Sequence, residues 1–155
     1  YKQKNASILY KQKQNLPVLL ELKDSRIDIF LNKVVSFQLT DTVINRIKKA
    51  HEYGNFVVKV VSPEDIFLMK CATERAGDRL DAKELVENNR LDWNTIMEES
   101  IAQANFKELL YPLCLYDFLL ELKEDLKVNI PNEIITKIKN IAEKMAFNYQ
   151  QQKEQ

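Results

Sequence analysis

At Ser62 the chain changes character. Before it lie short β-branched runs broken by turns; after it, apolar residues recur at helical spacing almost to the C-terminus. Ser62-Pro63-Glu64-Asp65 has the makings of a firm helix start. Ser62 can accept from the Asp65 amide, and Pro63 suits the first helical position, where its missing N–H has no partner to lose. The two acids complement the positive end of the helix. Strands gathered first and helices afterwards predict an α+β protein rather than an alternating α/β one. The expectation is a small mixed β-sheet in the N-terminal half followed by a helical C-terminal half. With 155 residues there is enough chain to bury a real core. Residues 1–90 then form the α+β core, and residues 91–155 a helical extension packed on it in one compact unit.

Upstream of Ser62, residues 7–10 and 18–22 read as short strands, with Asn15 and Pro17 between them, and Lys23-Asp24-Ser25 as a turn. The clearest strand is Arg-Ile-Asp-Ile-Phe-Leu at 26–31, where Ile27 and Ile29 alternate with Asp28 and so turn Asp28 to the opposite face. Thr40 and Asp41 can cap a helix running to about His51, with Val43, Ile44, Ile47 and Ala50 on one face and Gly54 as a left-handed stop. Residues 56–61 are β-branched and read as a further strand.

Downstream, helices are expected over about 63–75 and 78–88, over 93–103 with Asp92 as cap, and over 106–125. In the last of these Leu109, Leu110, Leu113, Tyr116, Leu120 and Leu122 make an apolar face, and Pro112 marks a start or a kink. Pro131 opens a final helix with the stripe Ile134, Ile135, Ile138, Ile141, Ala142, Met145 and Tyr149, fraying over 150–155. The two long C-terminal helices suit an antiparallel pair, or the interface of a homodimer or protein partner.

Lys+Arg and Asp+Glu balance at 23 each, so no global charge selects nucleic acid or membrane. No apolar run approaches the roughly 20 residues of a membrane helix, and no signal peptide is visible. Cys71 and Cys114 lack paired spacing and read as free thiols of a reducing compartment, which makes the cytoplasm the expected location. The single histidine, His51, reads as a surface or capping residue and provides no zinc site of the usual type. Lys2, Lys4, Lys11 and Lys13 with no nearby acid form either a phosphate-attracting strip or a solvated end. The chain begins at Tyr1 rather than Met, from which an upstream segment is expected.

Candidate chemistry is left to acids and bases. Lys70 sits one turn past Ile66, its stem able to pack while the ammonium reaches out. It can pair with Glu74 at i, i+4. Asp78 follows Gly77 and can cap the next helix; Asp81, one turn on, can pair with Arg75 or Lys70. Asp28 is either an exposed strand acid or a carboxylate ligand for Mg²⁺. One carboxylate is too few for a two-metal site.

The segment Val60-Val61-Ser62-Pro63-Glu64-Asp65, with Leu68, Lys70, Ala72, Arg75, Asp78 and Asp81, resembles the Leu-Ser-Pro-Glu-Asp, Lys, Arg-x-x-Asp-x-x-Asp helix pair of prokaryotic nucleotidyltransferase-fold proteins. The similar branch includes the abortive-infection toxins. The strand around Asp28 resembles that family's third-carboxylate strand, so the likeness spans about residues 16–86. It implies transfer of a nucleoside monophosphate from a nucleoside triphosphate to an acceptor, with two Mg²⁺ ions. Asp28 would be the third metal carboxylate and activate the attacking hydroxyl. Lys70, with Arg75, would neutralise triphosphate charge. Asp78 and Asp81 would support Lys70 or Arg75. The family's Gly-Ser motif and its downstream Asp-x-Asp are absent from these 155 residues. The motif then lies upstream, or the fold is catalytically silent and serves as a binding or antitoxin-like partner.

Overall fold

A computed structural model describes residues 2–3, 17–30, 33–73, 75–105 and 110–153, with the side chains of residues 2, 3, 149, 150, 152 and 153 outside that description. Outside the described residues lie the strand expected at 7–10, Lys4, Lys11, Lys13, the proposed partner Glu74, Leu31, the stretch 106–109 with Leu109, and the side chains of Lys2 and Tyr149. The chain divides into two compact units, Tyr1–Leu39 and Thr40–Gln155. Residue 90 falls inside the second.

The first unit is built of strands β1 (Lys2–Gln3), β2 (Val18–Leu22), β3 (Ser25–Ile29), β4 (Lys33–Val34) and β5 (Phe37–Gln38). β1, β2 and β3 make one sheet in that order, and β4 with β5 a second. All the pairing is antiparallel, with Leu19 opposite Asp28 and Leu20 opposite Ile27. The second unit opens with helix α1 (Asp41–Asn45), followed by the hairpin β6 (Lys49–Tyr53) and β7 (Phe56–Val60). The α+β class holds, with the strands in three antiparallel sheets among the described residues rather than in one mixed sheet.

The helix expected from Thr40 to His51 is therefore corrected. Thr40 does cap it, accepting from the Val43 amide, but it ends at Asn45. Residues 49–53 pair instead with 56–60, Tyr53 opposite Phe56, across the two-residue turn Gly54-Asn55. Gly54 stands at φ 62°, as the first residue of a tight hairpin turn requires. Helical spacing at Val43, Ile44, Ile47 and Ala50 is outweighed by this pairing, a case of tertiary context overriding local pattern. Among the described residues two further tight hairpins also place a residue of positive φ first in the turn, Lys23 (φ 51°) and Val35 (φ 56°), neither of them glycine.

Helices α2 (Pro63–Cys71), α3 (Ala76–Asn88), α4 (Trp93–Ala104), α5 (Tyr111–Glu124) and α6 (Asn132–Lys153) complete the second unit. Ser62 caps α2 by accepting from the Asp65 amide, and Asp92 caps α4 by accepting from the Asn94 amide. Pro112 lies in the first turn of α5, so it starts that helix rather than kinking it. α2 packs on α3, α4 and α5, and α5 packs on α4 and α6. Phe67 is fully buried at the centre, edge-on to Trp93 (5.8 Å between ring centroids) and to Phe118 (5.5 Å). Ile134, Ile138 and Ala142 of the predicted stripe are buried, while Ile135, Ile141 and Met145 are half-buried.

Candidate functional site

Two charged clusters are fixed by the helices of the second unit. The first lies where α2 turns into α3. Lys70, in the last turn of α2, donates from Nζ to Asp78 Oδ1 at 2.8 Å and to Asp81 Oδ2 at 2.6 Å. The Thr73 hydroxyl donates to Asp78 Oδ2 at 2.6 Å, and Arg75 Nε donates to the same oxygen at 2.8 Å. Asp78 is buried. Burial pushes its carboxyl pKa up, but the bonds from Lys70, Thr73 and Arg75 outweigh that and hold it at about 2. Burial likewise opposes the charge on Lys70, yet Asp78 and Asp81 keep its pKa above the ordinary lysine value.

Asp78 is not the cap that the preceding glycine suggested. Arg75 occupies the N-cap position without a side-chain cap bond, and Asp78 sits inside the first turn. There it faces the positive helix end and gathers three side-chain donors. Asp81 pairs with Lys70. Two cations thus meet two carboxylates. A surface pocket of about 330 Å³ beside them is lined by Ile66, Lys70, Asp81, Glu84 and Leu85. Nearby, Arg79 Nε donates to both oxygens of Glu121 at 3.0 and 3.1 Å, and its guanidinium lies 5.4 Å from the Phe118 ring centroid. Arg79 also donates to the Thr73 carbonyl, so it ties the α2–α3 loop to α5.

The second cluster is one that sequence reasoning missed. Arg46, just past the end of α1, donates from Nε to Asp65 Oδ2 at 3.3 Å and from its terminal nitrogen to Asp65 Oδ1 and, at 2.8 Å, to Glu99 Oε2. Asp65 and Glu99 are 0% and 2% exposed. The Ser62 hydroxyl donates to Asp65 Oδ2 at 2.7 Å. Thr42 donates to Glu99 Oε2 at 2.8 Å, while Thr40 (3.2 Å) and Gln103 (2.8 Å) donate to Oε1. Burial raises the Glu99 pKa, and Arg46, Gln103 and Thr42 together bring it below the ordinary value. Burial also opposes the charge on Arg46, which Asp65 and Glu99 nevertheless hold above its normal pKa. One signal for this network was visible: Glu99 shares the buried face of α4 with Ile96, Ser100 and Gln103, an acid where helical spacing calls for apolar residues.

No family model, curated protein or solved structure matches this chain.

Asp28 lies in the first unit, on β3, gripped by Arg26 through two bonds of 2.6 and 2.7 Å. Lys70, Arg75, Asp78 and Asp81 lie together in the second unit. Among the described residues no group of three or more His, Cys, Asp or Glu has a geometry that could hold a metal ion. Asp28 is thus engaged by a guanidinium of its own strand, in an exposed pair. Cys71 is buried and Cys114 half-buried, both as free thiols, and burial pushes both pKa values up. His51 is on an exposed strand rather than at a helix end. No helix among the described residues is long and apolar enough to cross a membrane.

Proposed function

We propose that this chain is a non-catalytic, nucleotidyltransferase-like protein that works by binding a macromolecular partner. The observation that carries this reading is the state of Lys70. Its ammonium is held between Asp78 and Asp81, and Arg75 adds its charge to the same pair. A lysine serving triphosphate would need surplus positive charge, and here cations and carboxylates balance. The buried Arg46–Asp65–Glu99 network and the Arg79–Glu121 bridge are likewise satisfied internally, as expected of scaffold rather than of a reacting centre. A groove of about 350 Å³ bordered by α4 and α6, with Met97, Ile101 and Ile141 among its walls, offers a protein partner or a second copy an apolar seat on the C-terminal helices. The two free thiols suit a cytoplasmic setting for such a protein.

Isothermal titration of the chain with each nucleoside triphosphate, with and without Mg²⁺, tests this reading. The expected result is no Mg²⁺-dependent binding up to millimolar nucleotide. Saturable Mg²⁺-dependent binding, lost in both Asp28→Ala and Lys70→Ala, would overturn it. That outcome would restore the enzymatic reading, transfer of a nucleoside monophosphate to an acceptor.

A further inference from the structure

Every residue of the β6–β7 hairpin, from Lys49 to Val60, is exposed. The register sorts its side chains cleanly. Tyr53 opposite Phe56, His51 opposite Val58 and Lys49 opposite Val60 share one face; Ala50 opposite Lys59 and Glu52 opposite Val57 share the other. On the first face Tyr53 and Phe56 are each 66% exposed and form a directly opposed aromatic pair next to the turn. The segment is also locally basic: Lys48, Lys49 and Lys59 stand against the single acid Glu52. None of these lysines is held in a side-chain ion pair or hydrogen bond among the described residues. A chain with no net charge therefore gathers unpaired lysines at the base of a ribbon whose turn end carries two open aromatic rings, with Lys49 on the face of those rings.

We infer that the β6–β7 hairpin is a binding ribbon for single-stranded nucleic acid. This rests on the binding-protein reading above but on none of the residues in its test. Bases stack on exposed rings irrespective of sequence, and lysines neutralise the accompanying phosphates. Same-face residues of a strand are about 6.8 Å apart, so Lys49 lies about 14 Å along the ribbon from Tyr53. A base on the Tyr53–Phe56 pair leaves its backbone running past His51 towards Lys49. Lys59 stands on the other face and Lys48 just before the strand, so the backbone reaches them by crossing the base of the ribbon. A membrane fits less well, because the hairpin apex is Gly54-Asn55, a polar tip that does not enter hydrocarbon. A second copy would bring Lys48, Lys49 and Lys59 of one ribbon towards the same lysines of the other, which like-charge repulsion disfavours.

Fluorescence anisotropy of a labelled dodecathymidylate titrated with the full chain is the test. The expected result is saturable binding that weakens roughly twentyfold between 50 and 200 mM salt, as about three phosphate contacts require. Tyr53→Ala and Phe56→Ala each weaken it roughly tenfold. Lys49→Ala lowers the salt slope by somewhat less than one. All three side chains are exposed, so circular dichroism should show each variant folded. Absence of binding at 50 mM salt overturns the proposal, as does binding indifferent to Tyr53→Ala and Phe56→Ala. So does capture by phosphatidylserine vesicles, lost in the same variants, without oligonucleotide binding. Mg²⁺-dependent nucleotide binding lost in Asp28→Ala and Lys70→Ala would refute the non-catalytic reading, whereas loss of oligonucleotide binding in Tyr53→Ala and Phe56→Ala reports on the hairpin alone, so the two failures are distinguishable.

Discussion

Replacing Arg46 by methionine removes the guanidinium shared by Asp65 and Glu99 while keeping a long apolar stem. Asp65 would retain the Ser62 hydroxyl at 2.7 Å, and Glu99 would retain Thr40, Thr42 and Gln103. Three charge-assisted bonds would go, and two carboxylates, 0% and 2% exposed, would lose their counter-charge. Removing one partner of a buried pair costs about 3–5 kcal/mol. The Arg46 side chain is 26% exposed, so water reaches that side of the cluster. The lower end, about 3 kcal/mol at pH 7, is therefore expected. For a chain of this size that is a fall in Tm of roughly 6–12 °C. With a urea m-value near 2 kcal/mol/M, the midpoint drops by about 1.5 M.

The pH dependence separates this mechanism from simple loss of packing. In the parent, Glu99 has a depressed folded pKa, so its contribution is present above its unfolded pKa and is lost as the pH falls. In Arg46→Met, burial acts with less opposition, and the folded pKa of Glu99 rises above the unfolded one. The carboxylate then destabilises at neutral pH, and protonation relieves it. The gap between parent and variant must narrow between pH 7 and pH 4. Adding Asp65→Asn and Glu99→Gln to the variant should recover most of the loss at pH 7. A loss below about 1 kcal/mol, or one as large at pH 4 as at pH 7, would refute the reasoning.

Asp78, held at about 2 against an ordinary 3.8, contributes stability that is full above about pH 4 and disappears as the pH falls towards 2. Asp78→Asn should cost roughly 2 kcal/mol at neutral pH and little near pH 2, measured by urea unfolding across that range. With a disulfide-exchange reagent at pH 8, Cys71 should react only as fast as the native chain opens, and Cys114 faster, as followed by mass spectrometry of the labelled peptides. Gly54→Ala meets nothing within 4 Å, so its cost is backbone strain alone at φ 62°, about 1–2 kcal/mol. It should appear as faster amide exchange across residues 49–60.

What was legible in the sequence was local. Ser62 and Asp92 cap helices within three residues of themselves, and the 18–22 strand and the 23–25 turn depend on adjacent chemistry. Pairing across a tight turn was less legible. Ile47 and Ala50 satisfy a helical period as well as any true helix does, and only the register with Val60 and Lys59 makes residues 49–53 a strand. The Lys70, Asp78 and Asp81 grouping could be anticipated because one short loop links its two helices. Arg46 could not, since its partner Glu99 is 53 residues away and only the packing of α2 against α4 brings the two carboxylates to the same guanidinium. A glycine before an aspartate looks like a cap, yet Asp78 lies inside the first turn of its helix. The donors that draw it inward come from the preceding helix and loop.

The bonds made by Thr40 and Thr42 set a limit on how the chain can be divided. Every group that serves Glu99 and Asp65 falls between residues 40 and 103, within the second compact unit. A polypeptide starting at Thr40 carries all the donors its buried acids need. One starting a few residues later, at Val43, still contains every helix from α2 onward, yet Glu99 would give up two of its four donors. The smallest autonomous piece is thus decided by two threonine hydroxyls upstream of the helical layer they serve.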